Sequence, residues 1–170
     1  MAALIKQELY FAYGSNLSSE QMLRRCPDST PLDTAYLAGY ELCFPFSSAT
    51  WGGKGVAGIQ PHQDRNVYGV VYQMSEQSLM ILDQYEGHPF KYCRKRLKVL
   101  TSDNASTDVW IYIPMTDRSH DFYHPSRRYI AAIIRGAMEH SLPSKYLNFL
   151  KFIPTASRNT DYNESEFKDE

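Results

Sequence analysis

The chain has 170 residues, of which 43% are hydrophobic and 22% are charged, a composition typical of one folded domain with a substantial core. Its formal net charge of -1 argues against nucleic acid as a partner, because phosphate-binding proteins usually carry a basic excess. Three widely spaced cysteines without a secretory leader predict reduced thiols in the cytoplasm, and no apolar run reaches the ~18–20 residues that cross a bilayer.

The first predicted element is a buried strand that breaks into a tight turn and then opens a helix. Aromatic and small side chains alternate in its first half, and the whole segment reads Tyr10, Phe11, Ala12, Tyr13, Gly14, Ser15, Asn16 and Leu17. Gly14 can take the positive φ that such a turn often needs, and serine and asparagine are typical of helix starts. Backbone N–H groups in such a turn can hold an anion or a developing oxyanion. An ordinary strand–helix connection is the alternative.

A short helix over residues 18–25 and a β-rich region over about 30–60 follow. Pro45 interrupts the second of these, which indicates a sheet edge or a bulge. The glycine-rich stretch 51–55 is predicted as a loop. It either connects a hairpin or lines a pocket, and its spacing does not match a phosphate-binding glycine loop.

The next predicted elements are a strong strand over 67–74 and a helix that Ser75 caps and Gly87 ends. Two further strands are predicted over 92–101 and 109–113. A polar turn joins these last two strands.

The end of the helix before Gly87 carries a carboxylate in an unfavourable place. On a period of 3.6 residues, Leu79, Leu82 and Glu86 share one stripe, so Glu86 is drawn toward the core. Burial, the negative end of the helix dipole and the like charge of Asp83 would all raise its pKa. Such a carboxylate is either paired or functional.

The predicted strand 92–101 carries basic side chains on one face, among them Arg94, Arg96 and Lys98. We interpret this face as solvated or as a sheet edge rather than a nucleic-acid site. The same strand supplies the structural alternative for Glu86, a salt bridge to Arg94 or Arg96. Fraying of the helix end, which would let the carboxylate reach water, is another.

Two histidines in the predicted loop 117–125 raise the question of a metal site. His120 and His124 are four residues apart, but Pro125 argues against the helix that would bring them onto one face. We therefore predict no metal at this place.

The C-terminal part contains the longest predicted helix, over 126–140, and a final helix over 144–152. From residue 158 onward five acids face two bases, and we predict a disordered tail after a single domain over 1–157. Strands dominate the middle of the chain and helices do not alternate with them. This favours an α+β fold, a mixed and largely antiparallel sheet or barrel flanked by three or four helices.

Two motifs give the chain a family resemblance. The sequence Tyr-Phe-Ala-Tyr-Gly-Ser-Asn-Leu at 10–17, followed by Leu-Asp-Gln-Tyr-Glu-Gly at 82–87, resembles the γ-glutamylcyclotransferase family. Further agreeing pieces are Trp51-Gly52-Gly53, the strand 69–74, Pro125-Ser126 with Tyr129, and Gly136-Ala137 leading to Leu142-Pro143. The resemblance spans about residues 10–150 and implies a small mixed barrel with flanking helices.

The resemblance also implies a reaction and a site. The implied enzyme, an acyltransferase or cyclising lyase of γ-glutamyl peptide and glutathione metabolism, releases an amine from a γ-glutamyl compound and closes the remainder into 5-oxoproline, without metal or cofactor. The substrate's own α-amino group is the nucleophile. Glu86 is expected to move its proton. The segment 10–17 and Tyr129 are expected to bind the substrate, with N–H groups near Gly14 stabilising the oxyanion.

The leaving amine and the partners stay open at this point. Glutathione, γ-glutamyl amino acids, γ-glutamyl amines and a γ-glutamyl biosynthetic intermediate all fit, and Lys91 or Arg94 beside the segment 88–92 would favour an acidic leaving portion. The expected partner is a small γ-glutamyl molecule, with no nucleic acid and no membrane; a homodimer is left open. The alternatives are a non-catalytic binding module of the same fold and an interaction domain that uses the basic strand.

Overall fold

The computed structural model describes residues 5–116 and 122–156, so the predicted tail and His120 lie outside the described residues. Within these ranges, five strands form a closed barrel that four α-helices flank. The elements in chain order are β1 (Gln7–Ala12), a 3-10 turn (Ser15–Leu17), α1 (Ser19–Arg25), β2 (Thr30–Ser48), a 3-10 turn (Ala49–Trp51), β3 (Lys54–Ser75), α2 (Glu76–Glu86), β4 (Tyr92–Thr101), β5 (Ser106–Pro114), α3 (Arg127–Glu139) and α4 (Ser144–Lys151).

The strands follow the order β1-β3-β2-β4-β5 around the barrel. Four of the neighbouring pairs are antiparallel, and the barrel closes through a parallel pairing of β1 with β5 at Tyr10 and Trp110. The predicted α+β fold with a mixed, largely antiparallel barrel is therefore confirmed. The barrel closes, but β4 pairs with β2 only at Leu100 and Thr101, so most of β4 is paired on one side, in agreement with the expected edge.

The longest pairing is the hairpin of β2 and β3, which starts at the pair Ser48 and Lys54. Its register shifts three times, once between Cys43 and Phe46, which confirms a bulge at Pro45. The predicted glycine-rich loop is a short turn, and β3 runs unbroken from Lys54 to Ser75. Such bulges bend the strands. One part of the β2–β3 hairpin can therefore belong to the barrel wall while its other end forms a projecting tip.

Three of the four described helices begin directly after a serine that caps them through a local hydrogen bond, whereas α4 begins after Pro143 without a side-chain cap. The side chains of Ser18, Ser75 and Ser126 each accept a hydrogen bond from a backbone N–H three residues later. Gly87 ends α2 in the left-handed conformation, with φ of 65°. No helix in the described ranges is long and apolar enough to span a bilayer.

Helix α3 packs directly on the 3-10 turn after β1. A Cβ on Gly136 would lie 2.5 Å from the carbonyl carbon of Leu17, so only glycine allows this approach. At the C-terminal end of α3, Nε2 of His140 lies 3.1 Å from the Leu17 carbonyl oxygen and 3.3 Å from the Tyr72 hydroxyl. Contacts of α3 and of Tyr72 in β3 with Leu17 thus fix the position of the turn.

The basic face of β4 is only partly solvated. The Lys98 side chain is exposed, but the Arg94 side chain is 20% exposed and pairs with Asp83 at 3.1 Å. The guanidinium groups of Arg94 and Arg96 both stack on the Trp110 ring, at 4.6 and 5.0 Å. The prediction of a solvated face is therefore wrong for Arg94, because this side chain lies against Asp83 of α2.

Candidate active site

A cavity of about 210 Å³ opens where β1 ends. Side chains from β1, α1, the β2–β3 hairpin, α2, β5 and α3 share its wall. The lining residues are Tyr10, Tyr13, Gly14, Ser15, Asn16, Arg25, Ser48, Thr50, Trp51, Val56, Ala57, Tyr85, Glu86, Lys91, Tyr92, Tyr112 and Tyr129.

The turn after β1 forms one side of the cavity. It is a single 3-10 turn in which the N–H of Leu17 donates to the carbonyl of Gly14 at 3.0 Å. The N–H groups of Ser15 and Asn16 open the turn and have no acceptor within it. A turn of this kind presents donors to an anionic group.

Gly14 does not adopt the positive φ that the sequence predicts. Its φ is -110°, which lies outside the left-handed region. A Cβ at this position would lie 3.4 Å from Cβ of Ala57 and 3.5 Å from the hydroxyl of Tyr129. The glycine therefore keeps space free beside Tyr129 rather than relieving backbone strain.

Asn16 connects four side chains of the site. Its Oδ1 accepts hydrogen bonds from Gln21 at 2.8 Å and from Arg25 at 3.0 Å. Its Nδ2 donates to the hydroxyl of Tyr10 at 3.1 Å and to Oε1 of Glu86 at 3.3 Å. Two donors on the oxygen fix the orientation of the amide, so its NH₂ group faces the Glu86 carboxylate.

Glu86 is the C-terminal residue of α2, and its side chain faces the protein interior, as the helical period predicts. Leu79 and Leu82 on the same stripe are fully buried, and the Glu86 side chain is 18% exposed. Burial raises the pKa of Glu86 above its ordinary value, and the nearby charges of Arg25 and Lys91 oppose that rise. A raised pKa makes a carboxylate a better proton acceptor than an ordinary glutamate.

The ion-pair partner of Glu86 differs from the prediction. Nη1 of Arg25 lies 3.7 Å from Glu86 Oε1, whereas Arg94 pairs with Asp83. Asp83 also accepts a hydrogen bond from the hydroxyl of Tyr112 at 2.7 Å. The charge of Asp83 is thus compensated at its own position, and the expected like-charge effect of Asp83 does not contribute to the raised pKa of Glu86.

Buried tyrosines hold the backbone around the cavity. The hydroxyl of Tyr129 accepts from the N–H of Ala57 at 2.8 Å, and the hydroxyl of Tyr92 donates to the Ala57 carbonyl at 2.7 Å. The hydroxyl of Tyr13 donates to the carbonyl of Tyr112 at 2.6 Å. Burial raises the pKa of Tyr129 well above its ordinary value, so this hydroxyl stays neutral at physiological pH.

The tip of the β2–β3 hairpin completes the wall. Ser48, Thr50 and Trp51 line the cavity, and the Trp51 ring meets the Tyr129 ring edge-on at 4.8 Å. Gly52 and Gly53 make the turn itself in the left-handed region. The two interpretations of the glycine-rich stretch, hairpin connection and pocket lining, therefore both hold.

The residues predicted for the site fall into two groups. Those that line the cavity are Tyr10, Tyr13, Gly14, Ser15, Asn16, Glu86 and Tyr129. Phe11, Ala12 and Leu17 are fully buried in the core instead. A role for these three in substrate binding is thus limited to supporting their neighbours.

Arg25 and Gln21 are site residues that the sequence reasoning missed. They are four residues apart on α1, so one helical face carries both toward Asn16. This spacing was a usable signal. His124, the described member of the histidine pair, meets the Phe122 ring edge-on at 5.2 Å.

Comparison with known proteins gives consistent matches. The family model described as gamma-glutamyl cyclotransferase, AIG2-like, matches residues 10–131. The human γ-glutamylcyclotransferase is 36% identical over 150 residues, which cover 85% of this chain and 78% of that protein. The mouse protein of the same name is 34% identical over equal shares. A solved structure of a γ-glutamyl cyclotransferase, 30% identical, superimposes with a TM-score of 0.83 and covers 95% of this chain and 99% of its own.

Proposed function

The chain belongs to the γ-glutamyl cyclotransferase, AIG2-like family, and we propose that it cleaves a γ-glutamyl amide by internal cyclisation. The α-amino nitrogen of the substrate attacks its own γ-carbonyl carbon, the amide C–N bond breaks, and 5-oxoproline and an amine are released. Both reacting groups belong to one molecule, so the reaction gains the advantage of an intramolecular step. Neither water nor a cofactor enters the balance.

The observation that carries this proposal is the placement of Glu86 in the cavity wall beside the turn, where its Oε1 lies 3.3 Å from Nδ2 of Asn16. The α-amino group arrives as an ammonium ion and must lose a proton before it attacks. A carboxylate with a raised pKa can accept that proton and then deliver it to the leaving nitrogen. Proton transfer by such a group typically contributes about 10²- to 10⁴-fold to the rate.

The turn is proposed to stabilise the charge that forms during the attack. Addition to the γ-carbonyl builds negative charge on its oxygen, and the backbone N–H groups of Ser15 and Asn16 are the proposed donors. Loss of one such donor typically costs about 10²- to 10³-fold in rate. The space that Gly14 leaves beside Tyr129 is proposed for the γ-glutamyl carbon chain.

We further propose that the leaving portion is acidic, as in γ-glutamyl amino acids or glutathione. Lys91 lines the cavity and lies over the Phe46 ring at 5.7 Å. Arg94, the other cation considered for this role, pairs with Asp83. A lysine ammonium beside the leaving nitrogen would favour a carboxylate-bearing amine over a neutral one.

A substrate panel tests the proposed reaction. The protein is incubated with γ-glutamyl dipeptides, γ-glutamyl amines and glutathione, and 5-oxoproline is measured. We expect product from at least one panel member and a loss of about 10²-fold or more in kcat for Glu86→Gln. Glu76→Gln is the matched control, because it makes the same change on an exposed side chain of the same helix.

Two outcomes would contradict the proposal. The first is wild-type turnover by a folded Glu86→Gln protein, which would remove the carboxylate from the mechanism. The second is a complete lack of 5-oxoproline with every panel member. That result would favour the non-catalytic binding module, for which saturable binding of a γ-glutamyl peptide would then be the expected finding.

A further inference from the structure

Arg25 is a largely buried cation in the wall of the candidate site. It is the last residue of α1, its side chain is 18% exposed, and it lines the cavity. Removing a guanidinium from water is costly unless charged or hydrogen-bonded partners replace the water. Its position inside a pocket therefore calls for a specific partner.

The contacts of the Arg25 guanidinium leave part of it free for a ligand. Nη1 donates to Oδ1 of Asn16 at 3.0 Å and lies 3.7 Å from Oε1 of Glu86, which is too long for a hydrogen bond. The ring of Tyr85 covers one face at 4.7 Å. A guanidinium has five N–H donors, and within residues 5–116 and 122–156 its hydrogen bond goes from Nη1 to Asn16.

The arrangement of charges matches one particular group. The α-carbon of a γ-glutamyl substrate carries an ammonium group and a carboxylate side by side. Glu86 and Arg25 present the opposite charges, also side by side. If Glu86 receives the ammonium proton, the carboxylate on the same carbon comes within reach of Arg25, whose Nη1 lies 3.7 Å from Glu86 Oε1.

We propose that Arg25 binds the α-carboxylate of the γ-glutamyl substrate and so selects γ-glutamyl compounds over amides that lack this carboxylate. The assignment rests on the proposed function. In this assignment, the N–H groups of the turn bind only the γ-carbonyl oxygen of the substrate. The guanidinium of Arg25 donates to the α-carboxylate. Arginine is suited to this role because its planar fork matches a carboxylate with two parallel hydrogen bonds.

Lys91 is the other cation that lines the cavity, and it is placed differently. It follows α2 in the chain and lies over the ring of Phe46, a residue of β2. The stronger electrostatic effect on Glu86 comes from Arg25. The two cations are therefore assigned to different carboxylates of the substrate.

The experiment compares two substrates that differ only in the α-carboxylate, L-γ-glutamyl-L-alanine and 4-aminobutanoyl-L-alanine. Both release alanine on cyclisation, and alanine release gives kcat/KM for each. The variants are Arg25→Met and Arg25→Lys, with Arg24→Met as the matched control. Arg24 is the adjacent residue on α1, and its exposed side chain pairs with Glu20.

We expect the wild type and Arg24→Met to prefer the γ-glutamyl substrate by about 10- to 100-fold, the effect of a hydrogen bond to a charged group. Arg25→Met should reduce this preference to near unity, mainly through KM, and Arg25→Lys should keep part of it. An equal loss on both substrates, or an unchanged preference in Arg25→Met, would overturn the assignment. So would a loss of the preference in Lys91→Met instead.

A binding measurement separates this inference from the proposed reaction. 5-Oxoproline and 2-pyrrolidinone also differ only in the carboxylate, and calorimetry gives their affinities without any turnover. The wild type should bind 5-oxoproline more tightly, and Arg25→Met should not discriminate. A protein that makes no 5-oxoproline but shows this discrimination would refute the reaction and retain the carboxylate site. A protein that cyclises the substrate but binds 5-oxoproline and 2-pyrrolidinone equally well would support the reaction and refute the carboxylate site.

Discussion

Nδ2 of Asn16 lies 3.3 Å from Oε1 of Glu86, a contact between residues 70 positions apart in the sequence. It joins the turn after β1 to the end of α2. The same amide receives hydrogen bonds from Gln21 and Arg25 on its oxygen. One side chain therefore links the turn, the proposed proton acceptor and the cation beside it.

Replacement of Asn16 by aspartate tests this link. Asn16→Asp keeps an acceptor for Gln21 and Arg25, but it removes the donor to Glu86 and places a like charge beside it. The pKa of Glu86 should rise further, so the acid limb of the kcat/KM profile should move to higher pH. Loss of a hydrogen bond to a charged group should lower kcat/KM about 10- to 100-fold at neutral pH.

The measurement is kcat/KM for a γ-glutamyl dipeptide from about pH 5 to about pH 9. Asn16→Ala, which removes the amide without adding charge, should lower kcat/KM with a smaller shift of the acid limb. An acid limb that is identical in wild type and Asn16→Asp would show that the amide does not act on Glu86.

Glu86 should lower the stability of the protein at neutral pH. Its pKa in the folded protein is above the ordinary value of 4.5, so between these two values the folded state binds a proton that the unfolded chain has released. Stability from this group is present below about pH 4.5 and is lost as the pH rises through the folded pKa. Glu86→Gln cannot ionise, and its stability relative to wild type should therefore increase with pH.

Urea unfolding of wild type and Glu86→Gln at about pH 4 and about pH 8 checks this expectation. The difference in the free energy of unfolding should be more favourable to the variant at the higher pH. A difference that is constant with pH, or one that favours the wild type more strongly at high pH, would contradict the raised pKa.

Tyr129→Phe should destabilise the protein. The hydroxyl of Tyr129 accepts the N–H of Ala57 at 2.8 Å, and this amide is buried. Loss of the acceptor leaves a buried donor without its partner, which typically costs about 1–3 kcal/mol. The free energy of unfolding in urea measures the effect. Tyr85→Phe is the control, because Tyr85 is 57% exposed, and equal stability of both variants would refute the expectation.

Gly136→Ala should reverse the usual effect of this substitution in a helix. Helix propensity alone favours alanine by about 0.8–1.0 kcal/mol. At Gly136, however, the added Cβ would lie 2.5 Å from the backbone of Leu17, so α3 and the turn must move apart. Overpacking of this kind typically costs about 1–3 kcal/mol.

Thermal or urea unfolding gives the sign of the change in stability for Gly136→Ala, and kcat/KM reports the displacement of the turn, since Leu17 directly follows Asn16. Both should decrease. A more stable, fully active variant would mean that α3 does not hold the turn. Ala131→Gly, on the exposed face of α3, provides the reference for helix propensity.

Local hydrogen bonding made much of this fold predictable. The three serine caps and the terminal Gly87 depend on residues within one helical turn, so they are readable in the sequence. The inward position of Glu86 followed from its spacing to Leu79 and Leu82. A helical period and a capping residue can be recognised in the sequence without knowing what packs against the helix.

Contacts across the barrel were not predictable in the same way. The partner of Glu86 is Arg25, not an arginine of β4, because the packing of α1 against α2 depends on strands that pair far apart in the chain. The continuous strand β3 was also missed. Its glycines and polar residues have low strand propensity, and the pairing with β2 overrides that preference.

The hairpin tip carries a different kind of constraint from the rest of the cavity. Packing holds the turn after β1 against α3, whereas a Cβ on Gly53 would meet nothing within 4 Å and only its φ of 69° requires glycine. Ser48 and Thr50 thus reach the cavity from a wall whose backbone is shaped by its own turn, apart from the contact between Asn16 and Glu86. The cavity therefore joins two kinds of wall, one held by buried side-chain contacts and one shaped by consecutive left-handed glycines.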